Sequence, residues 1–103
     1  MTAGPENQTT LDGYQSEARR TINPGLTNDQ RLLDAAAGLA EEAGEVLSHV
    51  RKHHFRGRPL DREAVTLELG DALWCLAIVA DTLGVSLQDV AQRNVEKLRS
   101  RYP

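Results

Sequence analysis

Two short runs of carboxylates are the residues of this chain best suited to chemistry: Glu41-Glu42-x-x-Glu45 and Glu68-x-x-Asp71. On a helix, positions three apart stand on neighbouring turns of one side, so each run presents a pair of carboxylates together. Four carboxylates at one site repel unless a cation neutralises them or they take up protons. Donors that are all oxygen suit a hard cation: magnesium, manganese or calcium. Magnesium keeps several waters and bridges to phosphates, so a site of carboxylates alone points to magnesium first, with manganese as a substitute. No P-loop, zinc spacing or nucleophile motif accompanies these runs.

The carboxylates form one site only if the elements carrying them meet. Pro and Gly punctuate the chain at Asn23-Pro24-Gly25, at Gly57-Arg58-Pro59 and at Gly84, and four helical stretches lie between. The first is expected from Leu11 to Arg20 behind Thr10. The second opens on the capping-box pattern Thr27-Asn28-Asp29-Gln30 and runs to about His53. Asp61 caps the third, which ends at Leu83, and Ser86 caps the fourth, Leu87 to about Arg99. No window alternates well enough to predict a strand.

On the second helix Leu32, Ala36, Leu39, Ala43, Val46 and Val50 cluster on one face, with Glu42 and Glu45 on its flank and Glu41 pointing away. On the third, Val65, Leu69, Ala72, Leu76, Val79 and Leu83 define the face, and Glu68 and Asp71 occupy a flank of the same hand. The short connection from His53 to Asp61 implies an antiparallel hairpin. Equal flank offsets then put both pairs on one side of it. Glu45 and Glu68 stand roughly 12 Å and 9 Å from the turn at 1.5 Å per residue, and Glu42 is level with Asp71 by the same count.

Other residues are candidates by position. Asn94 interrupts the apolar stripe of Leu87, Val90, Ala91 and Leu98, and Lys97 and Arg101 follow it at helical spacing. Lys97 suits phosphate as a point charge, and Arg101 suits it as a bidentate donor. The basic turn Arg51-Lys52-His53-His54-Phe55-Arg56-Gly57-Arg58 suits a helix C-terminus electrostatically, and Lys52 is its candidate for phosphate contact. Ala72 to Ala80 is apolar on every side, so the third helix is central or meets a second subunit. Trp74, with Leu67 and Ile78, lies opposite the face that packs on the second helix and is expected at that subunit interface rather than stacked on a base, and Cys75 reads as core.

A chain of 103 residues with net charge −3 fits one domain and disfavours nonspecific nucleic-acid binding. Its modest core invites a homodimer or homotetramer. A single cysteine fits a reducing compartment, and nothing reaches the length of a membrane span, so no membrane partner and a cytoplasmic location are expected. Residues 1–9 read as a polar, disordered lead without a secretory core, and residues 10–103 as one helical domain. The expected fold is all-α: an antiparallel helical hairpin bundle of four to five helices, completed by oligomerisation.

Three segments together resemble one family. Gly38-Leu39-Ala40-Glu41-Glu42-Ala43-Gly44-Glu45-Val46, then Glu68-Leu69-Gly70-Asp71-Ala72-Leu73-Trp74, then Asn94 to Pro103 are similar to the MazG-like nucleoside triphosphate pyrophosphohydrolases. The resemblance spans about residues 11 to 103 and includes Tyr14-Gln15. It implies an all-α enzyme that cleaves nucleotides between the α and β phosphates. It implies that Glu42, Glu45, Glu68 and Asp71 hold magnesium, and that Glu41 or Glu45 orients the attacking water. It adds Gln15 to Lys52, Asn94, Lys97 and Arg101 as substrate contacts. Phosphoribosyl-ATP pyrophosphohydrolase is the rival enzyme, and a non-catalytic, metal-dependent helical partner is the rival of another class.

Overall fold

The computed structural model describes residues 9–103. Apart from Thr9, the polar lead expected over residues 1–9 lies outside them. Four helices follow one another: α1 Leu11–Arg19, α2 Asn28–Arg56, α3 Arg62–Thr82 and α4 Leu87–Arg101. Among the described residues there is no strand, and no single helix is long and apolar enough to cross a membrane.

Each helix starts where a side chain satisfies a free backbone N–H. Thr10 accepts from Gly13, Asp61 from Ala64 and Ser86 from Asp89. Thr27 and Gln30 form the reciprocal capping box of α2. That helix runs three residues beyond its expected end at His53, because no helix breaker precedes Gly57. Gly57 closes it at φ 64°, in the left-handed region that only glycine enters freely. Likewise α4 runs to Arg101 rather than Arg99.

α2 and α3 pack antiparallel along their lengths, α1 lies on α3, and α4 touches only α1 and α3. α4 leaves α3 at a bend of 100°. The buried core is small: Ala18, Ala35, Ala77, Ile78, Ala80 and Leu87, with Tyr14, Ile22, Trp74 and Val79 packed against it. Gln15, at 3% exposure, locks α1 to the α3–α4 junction. Its amide nitrogen donates to the carbonyls of Ala77 (3.4 Å) and Val85 (2.9 Å), and its oxygen accepts from the Leu87 N–H (3.0 Å). An Arg19–Asp81 ion pair at 2.7 Å supports the same contact from outside.

The faces that pack are rolled from those expected: Leu32, Leu39, Val46, Val65, Ala72 and Val79 are shielded as expected, and the other half of each face is not. On α2 the shielded residues are Arg31, Leu32, Ala35, Gly38, Leu39, Glu42, Val46, Ser48 and His49, while Ala36, Ala43 and Val50 are exposed. On α3, Leu69, Leu76 and Leu83 are exposed, and Cys75, Ala77 and Ile78 are buried. Both helices carry more than one apolar stripe, so periodicity alone does not say which stripe faces its own chain. Trp74 is likewise covered from within: its indole N–H donates to the Thr21 hydroxyl at 2.7 Å, in the turn after α1.

Candidate metal and nucleotide site

The roll of α2 carries Glu42 to the edge of the α2–α3 seam. The level is set by a close crossing: a Cβ on Gly38 would lie 2.9 Å from the Cys75 Sγ, so the helices approach there only because residue 38 is glycine. One turn further toward the hairpin end, Glu42 faces Glu68 and Asp71. One carboxylate oxygen from each of these three lies within 4.8 Å of the others. The Glu42 Oε2 is closed off from solvent and has no hydrogen-bond partner.

Such crowding is electrostatically costly, and its mark is on Glu42. Its carboxyl is pushed up from an ordinary 4.5 to about 7. The main cause is Glu68, with which Glu42 makes a hydrogen bond only when protonated. Shielding from water follows, and then the charges of Glu68, Asp71 and Glu45. Near neutral pH about half of the molecules therefore hold a proton where a cation would serve as well. An orphaned carboxylate oxygen among oxygen donors of like charge is an arrangement into which a hard divalent ion fits.

Two further groups border the trio. Cys75 is buried, and its thiol is raised by that burial and then by the charges of Glu42, Asp71, Asp34 and Glu41. Tyr14 of α1 is half-buried, and its phenol is raised by burial and then by Asp71 and Cys75. Neither was among the expected site residues. Cys75 was legible as core because it sits within the apolar run Ala72 to Ala80, and its place one turn after Asp71 puts it beside the site. The placement of Tyr14 depends on how α1 docks, which no local pattern encodes.

The remaining expected residues are dispersed. Glu45 is exposed and lies outside the trio, although its charge reaches Glu42. Glu41 is exposed on the outer side of α2. Gln15 has both amide hydrogens committed to backbone carbonyls of its own chain, which leaves none for a substrate. Asn94 and Lys97 line a shallow groove of about 440 Å³ with Leu11, Leu76, Leu87, Val90, Ala91 and Arg93. Leu76 stands about 140° round α3 from Asp71, so that groove opens on a different side from the trio. Arg101 is exposed in the last turn of α4. Lys52 lies beyond the trio toward the hairpin end, ten residues and roughly 15 Å from Glu42 along the axis.

Comparison with known proteins agrees with this geometry. Residues 30–103 match the model of the MazG nucleotide pyrophosphohydrolase domain. The gene 37 protein of Mycobacterium phage L5 is 37% identical over 100 residues, covering 88% of this chain and 87% of that protein. Two uncharacterised Bacillus subtilis (strain 168) proteins are also similar. YvdC is 40% identical over 73 residues, covering 62% of this chain and 69% of its own. YpjD is 29% identical over 96 residues, covering 89% and 86%. No solved structure matches at a significant level. A chain whose carboxylates meet across two antiparallel helices, and whose residues 30–103 match that domain throughout, belongs to the MazG nucleotide pyrophosphohydrolase family.

Proposed function

We propose that this protein is a magnesium-dependent nucleoside triphosphate pyrophosphohydrolase, taking an NTP or dNTP to the monophosphate and pyrophosphate. The observation that carries the reading is the trio of Glu42, Glu68 and Asp71 around an unpartnered Glu42 oxygen. These three would hold the ion, and Glu45, exposed and outside the trio, would serve either as a fourth ligand or as the base. A bound magnesium would supply charge neutralisation for the phosphates and a more acidic attacking water. The chain's own part is to place and deprotonate that water. Its oxygen forms a bond to one phosphorus of the α–β bridge, the bridging oxygen leaves with the other, and a carboxylate takes the proton. Glu41 and Glu45, outside the trio, are the carboxylates we assign to that role.

The working form we propose is a homodimer or homotetramer in the cytoplasm. Support comes from unpartnered apolar surface: Leu33 is 72% exposed, Leu67 61%, Leu83 60% and Leu47 56%. Each such side chain, once covered, stabilises by about 1.5–3 kcal/mol. Gly44 and Gly70 lie inside helices with nothing within 4 Å of an added Cβ. A helical glycine costs about 1 kcal/mol against alanine, and no contact within this chain offsets it. In the assembly we assign Asn94, Lys97 and Arg101 to substrate contact.

The test is a panel of ribo- and deoxyribonucleoside triphosphates, with phosphoribosyl-ATP included, assayed for pyrophosphate with and without magnesium. Magnesium-dependent release from an ordinary triphosphate is expected, with loss in Asp71→Asn. Activity confined to phosphoribosyl-ATP replaces the substrate assignment. No release from any compound leaves a non-catalytic helical partner.

A further inference from the structure

The flank of α2 that carries Glu42 and Glu45 continues past them. His49 and Lys52 follow Glu45 at four and seven residues. Lys52 therefore stands only about 20° from Glu45 around the helix and roughly 10 Å nearer the turn. At that level a cavity of about 350 Å³ opens, lined by His49, Lys52, His53, Arg58, Pro59 and Asp61. One wall is α2 and the other is the connection to α3. The two are tied by His53, which donates from Nδ1 to the Arg58 carbonyl. The cavity thus begins two turns beyond Glu42 along α2, at the hairpin end.

Its charge is opposite to that of the carboxylates. Residues 51–62 carry five Lys or Arg and one Asp, in a chain of net charge −3. Among the described residues the ion pairs are Arg19–Asp81, Arg20–Glu17 and Arg93–Asp89, so Lys52 and Arg58 have no carboxylate partner. The one acid in the lining, Asp61, accepts from the Ala64 N–H at 3.0 Å and caps α3. His49 lies seven residues after Glu42 and about 20° from it around α2, so carboxylates suited to a divalent ion are followed on one flank by a cavity holding an unpaired lysine and arginine, the polarity of a metal-bound polyphosphate. On the α1 side of the trio stands Tyr14, whose phenol feels the charge of Asp71 and which offers an aromatic ring and no cation.

We infer that the His49–Lys52–Arg58 cavity is the subsite for the distal phosphates, the part that leaves as pyrophosphate. The substrate accordingly lies along this flank of α2 with its phosphate tail toward the hairpin turn and its nucleoside toward α1. This orientation rests on the hydrolytic reading above. The anion-binding property of the cavity does not. Arg58 offers a planar fork for two phosphate oxygens, and Lys52 a mobile point charge.

The probe is inorganic pyrophosphate, titrated calorimetrically into the full chain with magnesium present. Lys52→Ala and Arg58→Ala change exposed side chains and leave the fold intact. Each should weaken pyrophosphate binding about tenfold, the effect of losing one charge-assisted contact. Lys52→Arg should keep most of the affinity. Arg20→Ala, the same loss of charge on α1, should change nothing. Binding of a nucleoside monophosphate should be indifferent to all four. Pyrophosphate binding that is absent, that ignores both alanine variants, or that falls equally with Arg20→Ala overturns the inference, whatever the hydrolytic activity. Equal weakening of the monophosphate overturns the orientation. Lys52- and Arg58-dependent pyrophosphate binding by a chain that hydrolyses no nucleotide keeps the anion subsite and sinks the hydrolytic reading instead.

Discussion

Magnesium entering the carboxylate site must displace the proton that Glu42 holds, and the size of that effect follows from the geometry. A hydrogen bond to Glu68 open only to the protonated form, shielding from water and three neighbouring negative charges raise the Glu42 carboxyl to about 7. At pH 7 about half of the molecules then release a proton as the ion binds, at pH 6 about nine-tenths, and at pH 8 about one-tenth. The apparent dissociation constant for magnesium should weaken by nearly tenfold per pH unit below 7 and level off above 8. The metal-free fold should respond in the opposite sense to an ordinary salt-bridged acid. Between 4.5, its ordinary value, and about 7 the native Glu42 binds a proton that the unfolded chain has lost. That stability is fully present below pH 4.5, declines as pH rises through 7 and is absent above it. Magnesium should restore it at pH 8 by mass action. Calorimetric titration in buffers of differing ionisation heat counts the protons, and thermal melts at pH 5, 6, 7 and 8 follow the stability. Glu42→Gln should flatten both profiles. Equal magnesium affinity at pH 6 and pH 8 with no proton released would refute the reasoning, and with it the crowded site.

Gln15→Met should destabilise by roughly 2–5 kcal/mol, because it leaves the Leu87 N–H and the Val85 carbonyl without partners at a buried junction. A melting temperature only a degree or two lower would mean that water replaces the amide. Gly38→Ala forces a methyl to 2.9 Å from the Cys75 Sγ, a clash of about 1–3 kcal/mol against a helix-propensity gain near 1. In a Cys75→Ala background the clash disappears, so the same change should stabilise; identical effects in the two backgrounds would show that the crossing is not tight. Light scattering at micromolar concentration should report at least a dimer, and a monomer at every concentration would leave the exposed leucines unexplained. Lys97→Ala should weaken nucleotide binding while the magnesium response of the melt stays intact; unchanged affinity for every nucleotide returns Lys97 to the solvated face.

The four helices were legible because their signals are local. Thr10, Thr27, Asp61 and Ser86 each cap the helix their position announces. The carboxylate runs were legible for the same reason: spacing of three on a regular helix places two acids together whatever the rest of the chain does. Even their common level survives, since a short turn ties the register of α2 to that of α3 and Glu42 does meet Asp71. Gln15 marks a limit of this kind of reading. A polar residue beside Tyr14 has one sequence signature whether its amide meets a ligand or three backbone groups of its own chain.

What the amino-acid sequence determined by itself, then, is the helical class, the capped boundaries and the two acidic pairs, all of which depend on neighbours within a turn or two. Only the tertiary structure decided how far each helix is rolled about its axis. α3 is apolar around most of its circumference and α2 carries apolar residues on more than one stripe, so several rolls bury similar area, and the choice falls to particular contacts such as Gly38 against Cys75. That roll brings Glu42 into the seam and leaves Glu45 outside it. It covers Trp74 with Thr21 and exposes Leu69, Leu76 and Leu83. It also separates Asn94 and Lys97 from the carboxylates, because α4 takes its direction from a bend of 100° and a single buried glutamine, contacts between residues more than sixty apart in the chain.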